Sequence, residues 1–183
     1  MFGKSKITAG YFAGSLALGL WLGRPACAAD LLPDAVGVRG AYSITSIDTG
    51  FVQAQVFADW TLPWRWETTN GWYLATGLDL SLGALNGWDT TAFVGSLGPT
   101  VRIGQREFPV FLEAGLSPTL LSRHEFGQRN LGCNFQGTSY AGLGVSLGRH
   151  WEAGYRFQHM SNGGIAEPNP GLNLQALSLR FNF

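Results

Sequence analysis

The sequence predicts an all-β protein: an eight-stranded antiparallel transmembrane β-barrel of the outer-membrane type, following a cleaved signal peptide. Three observations predict it. The N-terminus has the form of an export signal. The remainder is a succession of short segments in which apolar and polar residues alternate. The face opposite the apolar one carries a balanced set of charges, as a narrow closed interior requires.

The export signal occupies residues 1–29. Lys4 and Lys6 give a positive start, Ile7 to Leu22 an apolar stretch, and Ala26-Cys27-Ala28 a small-residue cleavage site, with cleavage after Ala28 or Ala29. A retained anchor helix is the weaker reading, because cleavage chemistry follows the apolar stretch at once. A lipoprotein is weaker still, because Arg24 and Pro25 stand where lipid attachment at Cys27 would want small or aliphatic residues. Residues 30–183 are enough for one domain. They hold nine basic residues against twelve acidic ones, a net charge of −3, and no lysine. Such a chain has no clustered basic face for a nucleic-acid partner. Cys133 is its only cysteine, so there is neither an internal disulfide nor a cysteine metal site to expect.

No apolar run after the signal approaches the ~20 residues of a spanning helix. Alternation, the period of a strand with two unlike faces, takes its place. Val36, Val38, Tyr42 and Ile44 oppose Arg39 and Ser43. Val52, Ala54, Val56, Trp60 and Leu62 oppose Gln53, Gln55 and Asp59. Trp72, Leu74, Leu78, Leu80 and Leu82 oppose Asp79 and Ser81, and Phe93, Leu97, Val101 and Ile103 oppose Ser96, Thr100 and Arg102. Phe108, Val110, Leu112 and Leu116 oppose Glu113 and Ser117; Ala141, Leu143, Val145 and Leu147 oppose Gly142, Gly144 and Ser146. Trp151, Tyr155 and Phe157 oppose Glu152, Arg156 and Gln158, and Leu177, Leu179, Phe181 and Phe183 oppose Ser178, Arg180 and Asn182.

These eight segments approach the ~9–11 residues of a tilted membrane strand. Arg39, Asp59, Asp79, Arg102, Glu113, Glu152, Arg156 and Arg180 share the inner face, four acids against four bases. The turns at 104–106 and 148–150 are short, and 83–90, 122–136 and 162–172 read as longer connections. Outer-membrane barrels keep short turns in the periplasm and long loops outside, which sends residues 159–161 to the outer leaflet. Trp60, Trp64, Trp66, Trp72 and Trp88 suit the aromatic girdles at the membrane surfaces.

Chemistry concentrates near the end of the seventh segment. Its odd positions face lipid, and His159 and Ser161 continue that parity. Polar groups facing hydrocarbon are costly and mark function. A neutral imidazole beside a hydroxyl is the base–nucleophile pair of acyl transfer. Parity in the last segment brings Asn173 to the outside near His159, where it could orient the imidazole; Glu167, in the intervening loop, is the alternative third group. Asn169, between two prolines, reads as a turn former. His124 and His150 read as a loop and a turn residue, and Cys133 as a half-buried loop residue.

The block His159-Met-Ser161-Asn162 with Pro168-Asn169-Pro-Gly171, and the earlier Arg129-Asn-Leu-Gly132-x-x-Phe135-Gln136, resembles the outer-membrane lipid A 3-O-deacylases, most strongly over residues 125–183. The resemblance implies an eight-stranded barrel that hydrolyses the ester-linked acyl chain at the 3-position of lipid A. It implies Ser161 as nucleophile, His159 as base, and Asn162 and Gly164 as oxyanion donors. In that family the third member is a glutamate, and its position falls on Asn173, where an amide can orient the histidine but cannot stabilise an imidazolium as a carboxylate does. The partners implied are lipid A or lipopolysaccharide and outer-membrane lipids, with a second copy of the chain also admitted. No cofactor or metal is called for. Two other readings remain: a non-enzymatic structural or adhesive barrel, and a soluble periplasmic barrel whose apolar face lines a cavity.

Overall fold

The computed structural model describes residues 32–43 and 50–183. The expected signal peptide and Ile44 lie outside these residues. Ten strands occur among those described: β1 (Ala35–Ser43), β2 (Val52–Glu67), β3 (Trp72–Gly87), β4 (Thr90–Gln105), β5 (Val110–Leu121), β6 (Glu125–Phe126), β7 (Arg129–Asn130), β8 (Phe135–Leu147), β9 (Trp151–Ser161) and β10 (Leu172–Asn182). Eight close into an antiparallel barrel in the order β1-β10-β9-β8-β5-β4-β3-β2, and β6 and β7 form a small separate ribbon. The pairing of β1 with both β2 and β10 closes the sheet, so backbone donors and acceptors are matched around the circuit.

The alternation sorts the residues as expected. Val38, Val56, Phe93, Leu116, Leu143 and Leu177 stand exposed on the outer wall, whereas Arg39, Gln53, Gln55, Asp79, Arg156 and Arg180 are buried within. An apolar outer surface with charges inside overturns the soluble-barrel reading, in which the apolar face would line a cavity.

The interior has two layers. In the half nearer the chain termini, Arg39 meets Asp79 at 2.9 Å and Arg180 meets Asp59 at 3.3 Å. Arg102 bridges Glu113 at 3.5 Å and Glu152 at 3.0 Å. Arg156 is held differently: it donates to Gln158 Oε1 at 3.0 Å and lies over the Tyr140 ring at 4.0 Å. The cavity enclosed by Arg39, Asp79, Glu113 and Glu152 is only about 20 Å³, about the space of a single water, and a wider one of about 410 Å³ lies beyond it, beside Asp59, Arg102 and Arg180 and towards Arg65 and Gln105. The other half of the lumen has an apolar centre, with Gln53, Thr119, Gln136, Thr138 and Gln158 also buried there. Phe51, Leu85, Val94, Phe126, Met160 and Leu172 form a buried cluster there. The sequence led one to expect a polar interior throughout, and this plug was not anticipated. Past the membrane belt the outward residues turn polar, as at Asn86 and Thr91, so the inner face takes over the burial of apolar groups.

The same inversion accounts for a misjudged connection. Residues 83–90, expected as a longer loop, continue the strands of a hairpin, and only Trp88 and Asp89 form the turn, with φ of 46° and 59°. Two consecutive left-handed residues match the right-handed twist of the flanking strands. The short turn expected at 104–106 falls instead between Gln105 and Val110, and the expected loop at 122–136 contains the β6–β7 ribbon and the start of β8. The turn at 148–150 lies where it was expected, between β8 and β9. Of the girdle tryptophans, Trp64, Trp66 and Trp72 are exposed near the terminal end, and Trp88 is exposed at the loop end.

The Arg39–Asp79 pair offers a test of the filled lumen. Asp79→Leu strands a buried guanidinium and should lower stability by about 3–5 kcal/mol in denaturant unfolding of the detergent-folded protein. Arg39→Met added to Asp79→Leu should recover much of that loss. An unchanged unfolding midpoint for Asp79→Leu would contradict a packed ion pair.

Candidate active site

The end of β9 lies over the apolar plug. Met160 points inward and is 1% exposed. By strand alternation its neighbours His159 and Ser161 therefore face outward. On β10 the inward residues Leu172 and Leu174 are fully buried and put Asn173 on the same outer wall. Asn173 is paired directly across from His159. With Asn173 Oδ1 accepting, His159 Nδ1 donates to it at 2.8 Å, which leaves Nε2 as the basic nitrogen. Glu167 is exposed in the β9–β10 loop, and among the described residues the carboxamide that meets the imidazole is that of Asn173.

Glycines flank the serine. Gly137 of β8 is the cross-strand partner of Ser161. Gly171 precedes Leu172, whose partner is Met160, and has φ of +66°. A Cβ at Gly171 would stand 2.8 Å from His159 Cε1 and 3.5 Å from Nε2, so the imidazole edge lies directly over this residue. Gly171 is needed on both counts, for its left-handed backbone and for the close approach of the ring. Arg129 Nη2 donates to the Gly171 carbonyl at 2.9 Å and so ties the preceding connection to this point.

The expected oxyanion donors are placed otherwise. Asn162 continues the inward parity and is 1% exposed. Its Nδ2 donates to the carbonyls of Leu131, Ala166 and Pro168 at 3.0, 2.9 and 3.2 Å. Its Oδ1 accepts from the Gly164 N–H at 2.9 Å. Both groups expected to face an oxyanion are therefore engaged in building the loop. The alternation that put Ser161 outside already required Asn162 to turn inside. Asn169, expected only as a turn former, has a more specific place: its Oδ1 accepts the Asn162 backbone N–H at 3.1 Å, one residue from the serine. The bracketing prolines gave no hint of this contact.

The remaining candidates stay apart from the cluster. His124 Nδ1 meets Asn134 Oδ1 at 2.6 Å and His150 Nδ1 meets the Asn182 carbonyl at 2.9 Å, each at its own connection. Cys133 Sγ donates to the Phe135 carbonyl at 3.1 Å. Among the described residues no three His, Cys, Asp or Glu side chains converge as a metal site.

Fold and site together define a class: a closed eight-stranded barrel of the outer-membrane type, with a histidine–asparagine pair and a serine on its outer wall. The model of the family "Lipid A 3-O-deacylase (PagL)" matches residues 51–182, and the chain belongs to this family. The chain is 38% identical over 73 residues to the lipid A deacylase PagL of Bordetella bronchiseptica, which spans 40% of this chain and 41% of that relative. The crystal structure of the outer membrane enzyme PagL superposes with a TM-score of 0.71 at 20% identity, covering 81% of this chain and 99% of that one. At that identity the superposition shows the shared barrel, and the family is the one the His159–Gly171 block resembled.

The role of Asn162 is open to direct measurement. Asn162→Ala removes the donor that three loop carbonyls share, and a buried polar group left unmatched costs about 1–3 kcal/mol. The variant should melt earlier and exchange its 162–171 amide hydrogens faster. An unchanged melting temperature and unchanged exchange would return Asn162 to an exclusively chemical role.

Proposed function

We propose that this protein is an outer-membrane serine esterase that removes the 3-O-linked acyl chain of lipid A. One observation carries the mechanism: the 2.8 Å bond from His159 Nδ1 to Asn173 Oδ1 beside an outward-facing serine. That bond fixes the tautomer, so Nε2 is free to take the Ser161 proton as Oγ attacks the ester carbonyl. A tetrahedral oxyanion forms. The bond to the sugar oxygen then breaks, and the imidazolium gives its proton to that oxygen. Water, deprotonated by His159, releases the fatty acid from the acyl-serine and restores the hydroxyl.

With the Asn162 amide and the Gly164 N–H engaged in the loop, the oxyanion falls to the Asn169 carboxamide and the Gly163 N–H. Asn169 is suited to this task because its oxygen is held by the Asn162 N–H, which leaves its NH2 to turn outward. The longer connections 122–134 and 162–171 share the site's end of the barrel, which places the site in the outer leaflet if long loops are external. The substrate reaches Ser161 sideways from the membrane. A non-enzymatic barrel would share the wall and the lumen, but has no use for a histidine whose tautomer is fixed beside a serine.

Purified protein in mixed micelles should convert lipid A to a product lacking one hydroxyacyl chain, read by mass spectrometry. Ser161→Ala and His159→Ala should each abolish nearly all turnover, and the double variant should be no worse, because the two act as one unit. Intact lipid A with the folded wild type would favour the non-enzymatic barrel. Asn173→Ala should lower kcat while leaving a serine that still reacts slowly with a fluorophosphonate. Asn173→Glu should raise kcat, because a carboxylate stabilises the imidazolium. A silent Asn173→Ala together with an inactive Glu167→Ala would transfer the third role to Glu167.

A further inference from the structure

The connections 122–134 and 162–171 meet at a single carbonyl. The Leu131 oxygen accepts from Asn162 Nδ2 at 3.0 Å and from Gln136 Nε2 at 3.2 Å. Two donors engage both lone pairs of a carbonyl. Gln136 Nε2 also donates to the Cys133 carbonyl at 2.6 Å, so both N–H groups of this carboxamide go to the chain just before β8. Gln136 is 1% exposed and faces the lumen directly across from Thr119 of β5, so the barrel wall fixes its position. Gly132 lets the two connections touch: its φ is +86°, and a Cβ there would collide with the Pro168 carbonyl oxygen and with Asn162 Nδ2. Asn162, held in this way, gives its backbone N–H to Asn169 Oδ1 at 3.1 Å, one residue from Ser161.

We propose that Gln136 is a positioning residue for ester hydrolysis: by fixing the Leu131 carbonyl it holds Asn162 and, through Asn162, sets the Asn169 carboxamide where the oxyanion forms. This rests on the esterase reading above. Gln136 lies on the inner face of β8 and Ser161 on the outer face of β9, so Gln136 acts without touching substrate. Its influence passes through the Leu131 carbonyl and the two bonds made by Asn162. A carbonyl held from two sides cannot tilt towards one donor without weakening its bond to the other. Without the Gln136 amide, Leu131 is held here by Asn162 alone, and the 162–171 loop is free to follow its carbonyl. A displacement of about 1 Å imposed from outside the chemistry costs on the order of 10²-fold in rate.

Kinetics on lipid A in mixed micelles test this in the detergent-folded protein. Folded molecules are counted by electrophoretic mobility without boiling, so that lost stability is not read as lost rate. Gln136→Met keeps the length of the side chain and removes both N–H groups. Its kcat per folded molecule should fall about 10²-fold while KM stays within about twofold of wild type. Gln136→Asn keeps the amide on a shorter arm and should fall between the two; it carries the same test if Gln136→Met does not fold. Gln55→Met takes a buried donor from Ser81 Oγ in the same lumen, and should lower stability with kcat unchanged. Joined to Asn162→Ala, Gln136→Met should be no slower than the slower single variant, because both act on one carbonyl. Losses that multiply in the double variant, or a wild-type kcat in both Gln136 variants, would overturn the proposal and leave the esterase standing. Failure of the wild type to cleave any ester would sink the esterase reading instead.

Discussion

The filling of the lumen is the constraint on which the rest of the structure depends. A closed sheet of eight strands has little interior, and whatever points inward must neutralise its charge and fit. Arg39–Asp79 and the Arg102–Glu113–Glu152 network do this in one half, and Phe51, Leu85, Met160 and Leu172 pack the other without charge. A strand whose inward residues are fixed in this way has its register fixed too, since a slip by one residue would send every side chain to the wrong face. The outward positions of His159, Ser161 and Asn173 therefore follow from Met160, Leu172 and Leu174 within.

Connections rather than strands complete the site. Asn162 gathers three carbonyls from two stretches of chain, and Arg129, beside Leu131 in the first of them, reaches the Gly171 carbonyl at the end of the second. The loop is built around a buried carboxamide much as a strand is built around its ladder. This makes the loop part of the scaffold that holds the end of β9.

Much of this was legible in the sequence because a period of two is unambiguous over nine or more residues. It separated Arg39 from Val38 and Arg156 from Phe157, and placed His159 beside Ser161 on the outer face. Where the two faces exchange polarity the signal fails. Leu85, Ala92 and Val94 kept the inward parity of their strands, but apolar side chains there did not match a lumen expected to be polar, and a hairpin read as a loop. The expectation for Asn162 had a different origin. The resemblance assigned a role by position in a motif, while parity, applied one residue further than Ser161, already turned the side chain inward. Asn169 could not have been placed from the sequence at all, because its contact depends on the path of a loop that has no period.

The closed lumen has one more consequence. Among the described residues, a cavity of about 20 Å³ lies between the ion pairs, and an apolar cluster packs the lumen beyond them, beneath the end of β9. On the esterase reading proposed above, the lipid substrate and the water that hydrolyses it would arrive from different directions, one sideways within the leaflet and the other past the polar loop. Turnover would be governed by a surface density rather than a bulk concentration. Thickening or compressing the headgroup layer above Gly163 and Gly164 should change the supply of water while leaving the supply of lipid untouched.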